Sequence, residues 1–498
     1  LLGAALLTPL PALAQTSSAL STEVDTLRQE VQQLRQQMQS MQAPAATAQP
    51  GAAPAAPGAA PLAPLAPAPE LPNGTFQVGG VRMQFGGFIE AASIFRSRNE
   101  VSDVGSDYNT GIPFNNSVLA HQTEFRESGR QSRISGLASG DVNDVTHLAA
   151  YVETDFLSAA TTSNSRESNS YSLRVRHAYM TLDQDDWGFH FLGGQEWSLL
   201  TTNTNGIIPR QEQIPLTIDA QYVEGFNWTR NPQLRVVKNW GHVWAGLSLE
   251  SPQGVLPPGP GAVPVGVNAN NPGDAGGLMN NTTTYTNDII PDIIAKVAVD
   301  PGFGHYELKS IARAFTDSVG GNNNKVWGYG VGGAATMPIV PHLVDFQISG
   351  LAGYGIGRYG SGQLPDVAFT RTNSLVAIPE VQGLVGLIAH PWWGNDLYLY
   401  GGWEHADRAG SPVATAGYGS GALVNTGCNT LGGTCQAETE DLKQVAVGTW
   451  QDVYKGKFGR FVIGLQGSYI ERDAFSGVGG APSTNDAIVM TSFRYYPF

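Results

Sequence analysis

From Asn73 onward the chain runs through about sixteen segments that alternate apolar and polar residues, and the connections between them alternate in length. The segments fall near 81–96, 131–139, 145–157, 171–182, 187–198, 229–238, 243–250, 291–300, 305–315, 325–337, 343–358, 375–389, 396–406, 441–454, 461–472 and 486–498. On one side the connections are brief: 140–144, 183–186, 239–242, 301–304, 338–342, 390–395 and 455–460. On the other they are long: 97–129, 158–170, 199–228, 251–290 and 407–440. A period of two marks strands with one apolar and one polar face. A soluble sandwich gives no reason for connection length to follow strand parity. A closed antiparallel barrel that crosses a membrane gives one, and it asks for an even number of strands. The expected fold class is therefore all-β, a 16-stranded antiparallel transmembrane β-barrel over 73–498, and a soluble all-β domain is the weaker alternative.

The faces agree with this expectation. In Tyr171 to Leu182, Leu173, Val175 and Tyr179 share one face and Arg174 and Arg176 take the other. In 461–470, Phe461, Ile463, Leu465 and Tyr469 oppose Gly464, Gln466 and Ser468. One face suits lipid, the other water. Trp187, Trp240, Trp392 and Trp393 lie at or beside short turns, where an interfacial girdle places them. Charged residues make up 14% of the chain, against about 25% for a typical soluble domain. No apolar run of about 18 residues follows the N-terminus, so no mature transmembrane helix is expected. A net charge of −14 without a Lys/Arg-rich run argues against nucleic acid as a partner.

The first 72 residues read differently. Leu1 to Ala14 is an apolar stretch broken by Pro9 and Pro11 and closed by Ala12-Leu13-Ala14, the pattern of a secretory signal over 1–14 with cleavage before Gln15. Over 15–42 a heptad seam follows, with Val24, Val31 and Met38 at a and Leu20, Leu27, Leu34 and Met41 at d. Glu23 and Glu30 at g can meet Arg28 and Arg35 at e of a neighbouring helix, so the expectation is a self-associating periplasmic coiled coil. Residues 43–72 are almost wholly Ala and Pro, a polyproline-like spacer with a reach on the order of 90 Å when extended.

Strand faces point Arg133, Arg174, Arg176, Arg235, Lys309 and Arg313 inward, because a basic residue facing lipid costs about 2–4 kcal/mol at the midplane. Glu307 and Asp345 point the same way and temper the field. The alternative is that these cations only pair with acids on the wall. The 199–228 segment, between the fifth and sixth strands, is too long for a plain turn and is expected to fold into the lumen as a constriction, with Arg210, Glu212 and Asp219 facing the basic wall. Cys428 and Cys435 share the loop after the thirteenth strand, and passage through an oxidising compartment favours a disulfide within that loop over two free thiols. No catalytic constellation stands out: His177 lacks an adjacent nucleophile motif, the nine His are scattered without metal spacing, and Gly328, Gly330 and Gly332 alternate as in a strand rather than a phosphate loop. No enzyme activity and no cofactor are expected.

The chain closes on Ser492-Phe493-Arg494-Tyr495-Tyr496-Pro497-Phe498, an aromatic final strand that resembles the assembly signal of outer-membrane barrels through Phe493, Tyr495, Tyr496 and Phe498. Together with Gln131-Ser132-Arg133-Ile134, Leu173 to Tyr179, Gly194-Gln195-Glu196-Trp197-Ser198 and Asn231 to Val236, it resembles the DcaP-type porin family. These motifs cover much of the first half of the barrel and its last strand; the rest shows no specific match. The resemblance implies a trimeric sixteen-stranded porin of a Gram-negative outer membrane that admits small, mostly anionic solutes, with the heptads and linker as its periplasmic extension. Expected partners are thus two further copies of the chain, small anions and outer-membrane lipid, with peptidoglycan a candidate for the N-terminal segment. Three other readings stand beside it: a nonselective or sugar-accepting channel lined by aromatics such as Trp197 and Tyr398, a barrel-anchored envelope tether, and a hydrolase on a barrel, which would need a nucleophilic Ser beside a His.

Overall fold

The computed structural model describes residues 74–159, 171–258, 263–272, 284–410 and 417–498. The signal, the heptad segment and the Ala/Pro segment expected over 1–72 lie outside the described residues. Sixteen strands follow in chain order: β1 (Val81–Arg96), β2 (Glu124–Ser128 and Arg133–Asn143, with a turn between), β3 (Thr146–Ala159), β4 (Tyr171–Gln184), β5 (Phe189–Trp197), β6 (Arg230–Asn239), β7 (Val243–Glu250), β8 (Asp292–Val299), β9 (His305–Val319), β10 (Asn322–Val340), β11 (Val344–Tyr354), β12 (Pro379–Ala389), β13 (Asn395–Ala406), β14 (Thr439–Gly456), β15 (Gly459–Ala474) and β16 (Ser483–Tyr496). Each pairs antiparallel with the next. β1 pairs with β2, Phe88 opposite Arg133, and on its other edge with β16, from Ile89 opposite Tyr495 to Arg96 opposite Ile488. That second ladder closes the barrel and leaves no open edge within it.

Every segment expected from the alternation holds one of these strands. Leu173, Leu234, Leu308, Val331, Leu465 and Val489 face outward and are exposed, as are Trp187, Trp240, Trp392 and Trp393 at the short-turn ends. Phe493, Tyr495 and Phe498 also point outward, whereas Tyr496 turns in and its ring lies 5.2 Å from that of Phe88.

Two local features depart from expectation. On the long-loop side, β9 and β10 are joined by only Gly320 and Gly321, both at positive φ, 56° and 86°. A two-residue hairpin needs that backbone and glycine supplies it without steric cost. The second feature is a bulge between β3 and β4: Glu153 stands opposite His177 and Thr154 opposite Val175, leaving Arg176 without a cross-strand partner. One extra residue reverses the parity beyond it. Arg176, His177 and Tyr179 are consequently all buried inside the barrel, and Tyr179 does not share the outward face of Leu173 and Val175.

The core of the molecule lies inside the barrel. Three connections on the long-loop side fold inward: 97–123, 198–229 and 355–378. Tyr108 and Ile112 of the first, Ile218, Val223 and Phe226 of the second, and Leu364 and Ile378 of the third pack together against Tyr400, Leu442, Ile470 and Met490 of β13 to β16. Apolar burial of this kind is worth about 25 cal/mol per Å² removed from water, so these connections are held as firmly as a domain core. The β13 to β16 side of the interior is filled in consequence. On the opposite wall, Arg133, Glu153, Asp155, Arg174 and Arg176 of β2 to β4 form a charged cluster.

Candidate functional site

On β4, Arg174 donates from Nε and Nη2 to the two carboxylate oxygens of Asp155 on β3, at 3.0 and 2.8 Å. Arg176 donates to Glu153 Oε1 at 2.6 Å and to Asp155 Oδ2 at 3.0 Å, and Arg133 Nη1 lies 3.8 Å from Glu153 Oε1. His177 Nδ1 is 3.0 Å from Glu196 Oε2. The bulge makes this layer compact, because it turns two successive residues of β4 inward at the level of Glu153. Bidentate and doubled charge-assisted bonds hold such side chains rigid, and they also cancel much of the charge that a passing solute would feel.

The inward direction expected for the remaining cations holds, but inward is not the same as open. Lys309 and Arg313 are each 1% exposed. Lys309 Nζ donates to the Leu200 carbonyl at 2.7 Å. Arg313 reaches Asp292 at 3.1 Å and Asp366 at 2.6 Å, and also bonds the Gly355 carbonyl. Both are clasps that fasten inward connections to the wall, so neither lines a lumen as the sequence reading expected. Arg235 is similarly enclosed, bonded to Gln233 Oε1 at 3.0 Å and to the Trp197 carbonyl at 2.5 Å. Solvent reaches the side chains of Arg133 and Arg174, 25% and 38% exposed, and Arg210.

The 198–229 connection crosses the interior as expected. Leu216 N–H donates to the Tyr400 hydroxyl, Ile218 N–H to Gln466, Glu224 N–H to Gln444 and Gly225 N–H to Glu404, all on the far wall. Near its start, Asn203 N–H donates to Glu307 and Lys296 Nζ donates to the Thr201 carbonyl. Two non-glycine residues of this connection sit in the left-handed region, Arg210 at φ 67° and Tyr222 at φ 73°. Such backbone costs on the order of 1–3 kcal/mol and persists where surrounding structure imposes it. Burial pushes the Tyr222 phenol up, but the guanidiniums of Arg176, Arg230 and Arg133 outweigh it and bring the group down to about 8. Arg210 holds its guanidinium 5.4 Å from the Tyr151 ring centre. Asp219 does not face the basic wall: it accepts from the Ser106 hydroxyl at 2.6 Å and binds the first connection instead. Glu212 pairs through its backbone with Asn203 within the loop.

Three arginines escaped the sequence reading. Arg126 lies in the first piece of β2, inside the 97–129 segment assigned to a long loop, and Arg130 in the turn that interrupts β2. Arg230 opens β6 on the parity of outward-facing Leu234, yet its guanidinium lies over the rings of Trp197 and Trp228, at 4.8 and 5.0 Å. With Arg174 these three line a cavity of about 810 Å³ toward the long-loop end, beside Asp103, Glu127 and Trp228. Arg126 is paired with Glu124 at 3.0 Å and Arg130 with Asp103 at 2.9 Å. Among the described residues, no carboxylate lies within ion-pair distance of Arg230 or Arg210, and Arg230 Nη1 is enclosed without a hydrogen-bond partner. A second cavity, of about 360 Å³, lies toward the short-turn end of the same wall and includes Arg210 and Arg235. In strand order the layer of Glu153, Arg176 and His177 falls between the two cavities. Trp197 and Tyr398, the aromatics of the sugar-channel alternative, are both buried.

The outer membrane channel DcaP of Acinetobacter baumannii, a crystal structure, superimposes on this barrel with a TM-score of 0.61, covering 84% of this chain and 99% of that one at 17% identity. The chain has the DcaP-type porin fold. At that identity the likeness is one of fold. Looser likenesses, each at TM-score 0.45 and 10% identity, join it to OmpT, an outer membrane protein of Vibrio cholerae, and to an anion-selective porin from Comamonas acidovorans. These cover 85% and 84% of this chain and 99% of each of those chains. No protein-family model and no curated protein matches the sequence.

Proposed function

We propose that the protein is a bacterial outer-membrane porin through which small, preferentially anionic solutes diffuse, carboxylates foremost. The single observation that carries this reading is that Arg230 and Arg210, one at each of two successive cavities on one wall, have no carboxylate within ion-pair distance among the described residues. Paired arginines present little net charge to a solute, so the unpaired ones set the sign of the local field, which low-dielectric walls focus. The planar fork of Arg suits a carboxylate, and two spaced forks pass an anion on rather than trap it. The apolar outer band and exposed Trp residues suit lipid on the outside. The reading includes a homotrimer, with the N-terminal heptad segment on the periplasmic side after removal of residues 1–14.

Liposome swelling tests it. Vesicles containing the protein should swell faster in small carboxylates than in neutral sugars of the same size. Faster swelling in sugars would move the assignment to a sugar-accepting channel, and no swelling with either would leave a barrel-anchored tether.

A further inference from the structure

The cavity of about 360 Å³ toward the short-turn end is unlike the outer one in chemistry. Ile207, Ile208 and Pro209 of the inward loop line it together with Val237 and Trp244 of β6 and β7, and Ile207, Val237 and Trp244 belong to one packed apolar cluster on which Ile208 rests. Arg210 stands at one end, strained in its backbone, exposed, and with no carboxylate at ion-pair distance among the described residues. Two acids also line the cavity: Asp183, 2.7 Å from His190, and Asp185, 3.3 Å from His147, whose nearer acid is Asp141 at 2.6 Å. Trp244 is held flat against the His190 ring, their centres 5.5 Å apart, so this apolar wall is fixed in place.

A channel that only passes hydrated anions has no use for an apolar sleeve next to its free guanidinium. Water in such a sleeve is poorly bonded, and an apolar solute body displaces it favourably. We propose that this cavity is a binding site for amphipathic monocarboxylates, the carboxylate on Arg210 and an aliphatic or aromatic body against the apolar patch of Ile208 and Trp244. This deepens the anion-porin reading and rests on it for how the ligand arrives. The site slows such solutes relative to small polar anions and makes their flux saturable.

The probe is hexanoate, compared with acetate and hexanamide, as a blocker of potassium chloride current through the full chain in a planar bilayer. Each buried methylene is worth about fourfold in affinity, so the four more carbons of hexanoate should improve half-block over acetate by tens-fold, and by no more than about 250-fold. Hexanamide keeps the body without the charge and should block at least about tenfold more weakly, as should hexanoate acting on Arg210→Gln. Ile208→Ser should flatten the chain-length series toward the acetate value. Equal block by acetate and hexanoate in the unaltered protein overturns the proposal without any variant having to fold. The chain-length ratio is taken at constant charge, so it reads the sleeve whatever the ion preference. A steep ratio in a channel without anion preference would refute the porin reading and keep the site. A flat ratio in an anion-selective channel would do the reverse.

Discussion

The inward loop is seated on the far wall backbone to backbone, and glycines make the seat. A Cβ at Gly402 on β13 would fall inside contact distance of the Glu224 carbonyl oxygen and only 2.8 Å from its carbon. Carbon atoms rest at about 3.5–4.0 Å, so Gly402→Ala must push the loop off by roughly 1 Å. That shift breaks the bonds from Gly225 N–H to Glu404, at 2.8 Å, and from Glu224 N–H to Gln444, at 3.0 Å. Each lost bond leaves a buried group unsatisfied at about 1–3 kcal/mol, so the seat should weaken by about 2–6 kcal/mol. Gly401, next along the same strand, has open space where its Cβ would stand. Gly401→Ala is therefore the matched control. Single-channel recording should show Gly402→Ala with a changed, noisier conductance, and heat-induced unfolding of the detergent-solubilised barrel should begin at lower temperature, while Gly401→Ala matches the unaltered protein in both. Equal conductance and equal unfolding temperature for the two variants would refute the view that this contact seats the loop.

Further outcomes follow from other buried groups. Burial, and then the neighbouring Glu404 charge, push the Glu224 carboxyl well above its usual 4.5. The seated loop thus keeps a proton that a released loop gives up, and seating weakens as pH rises from 4.5 toward the raised value, by about 1.4 kcal/mol per pH unit. Gating events in single-channel records should accordingly multiply as pH rises above the usual carboxyl range and lose that dependence in Glu224→Gln; a pH-independent record from the unaltered protein would contradict this. Arg313→Met removes the cation between Asp292 and Asp366 and should cost about 3–5 kcal/mol, read as a lowered unfolding temperature. Cys428 and Cys435 are disulfide-bonded, and their loop grips Asn116 of the first inward connection, whose N–H donates to the Cys428 carbonyl at 2.9 Å. Mass spectrometry after alkylation without reduction should find neither thiol modified. Reduction should loosen the 97–123 connection and leave the barrel closed.

Period-two alternation is a local signal, so each of the sixteen strands was legible, and so was the position of the constriction between the fifth and sixth. Strand parity also gave the inward direction of Lys309 and Arg313. It carries no information on what packs over them, and that is decided by connections that return from far along the chain: Leu200 reaches Lys309, and Asp366 reaches Arg313. Tyr179 was misplaced because one extra residue at Arg176 reverses parity, and nothing in the local pattern marks a bulge. Arg230 was overlooked for a related reason. At a strand end the side chain follows the rings it lies on, here Trp197 and Trp228, rather than the pleat. The two site residues most worth altering for selectivity are consequently one that the length of the 199–228 connection flagged, Arg210, and one that the alternation concealed, Arg230.

On the anion-porin reading, Arg210 and Arg230 give the channel a preference for anions despite a net charge of −14 for the chain. The direct test is the reversal potential across a planar bilayer under a potassium chloride gradient, for the unaltered protein and for Arg210→Gln with Arg230→Gln. A potential of the sign set by chloride is expected in the unaltered channel, with a shift toward zero in the double variant. A potential of the sign set by potassium in the unaltered channel would contradict the anion-porin reading.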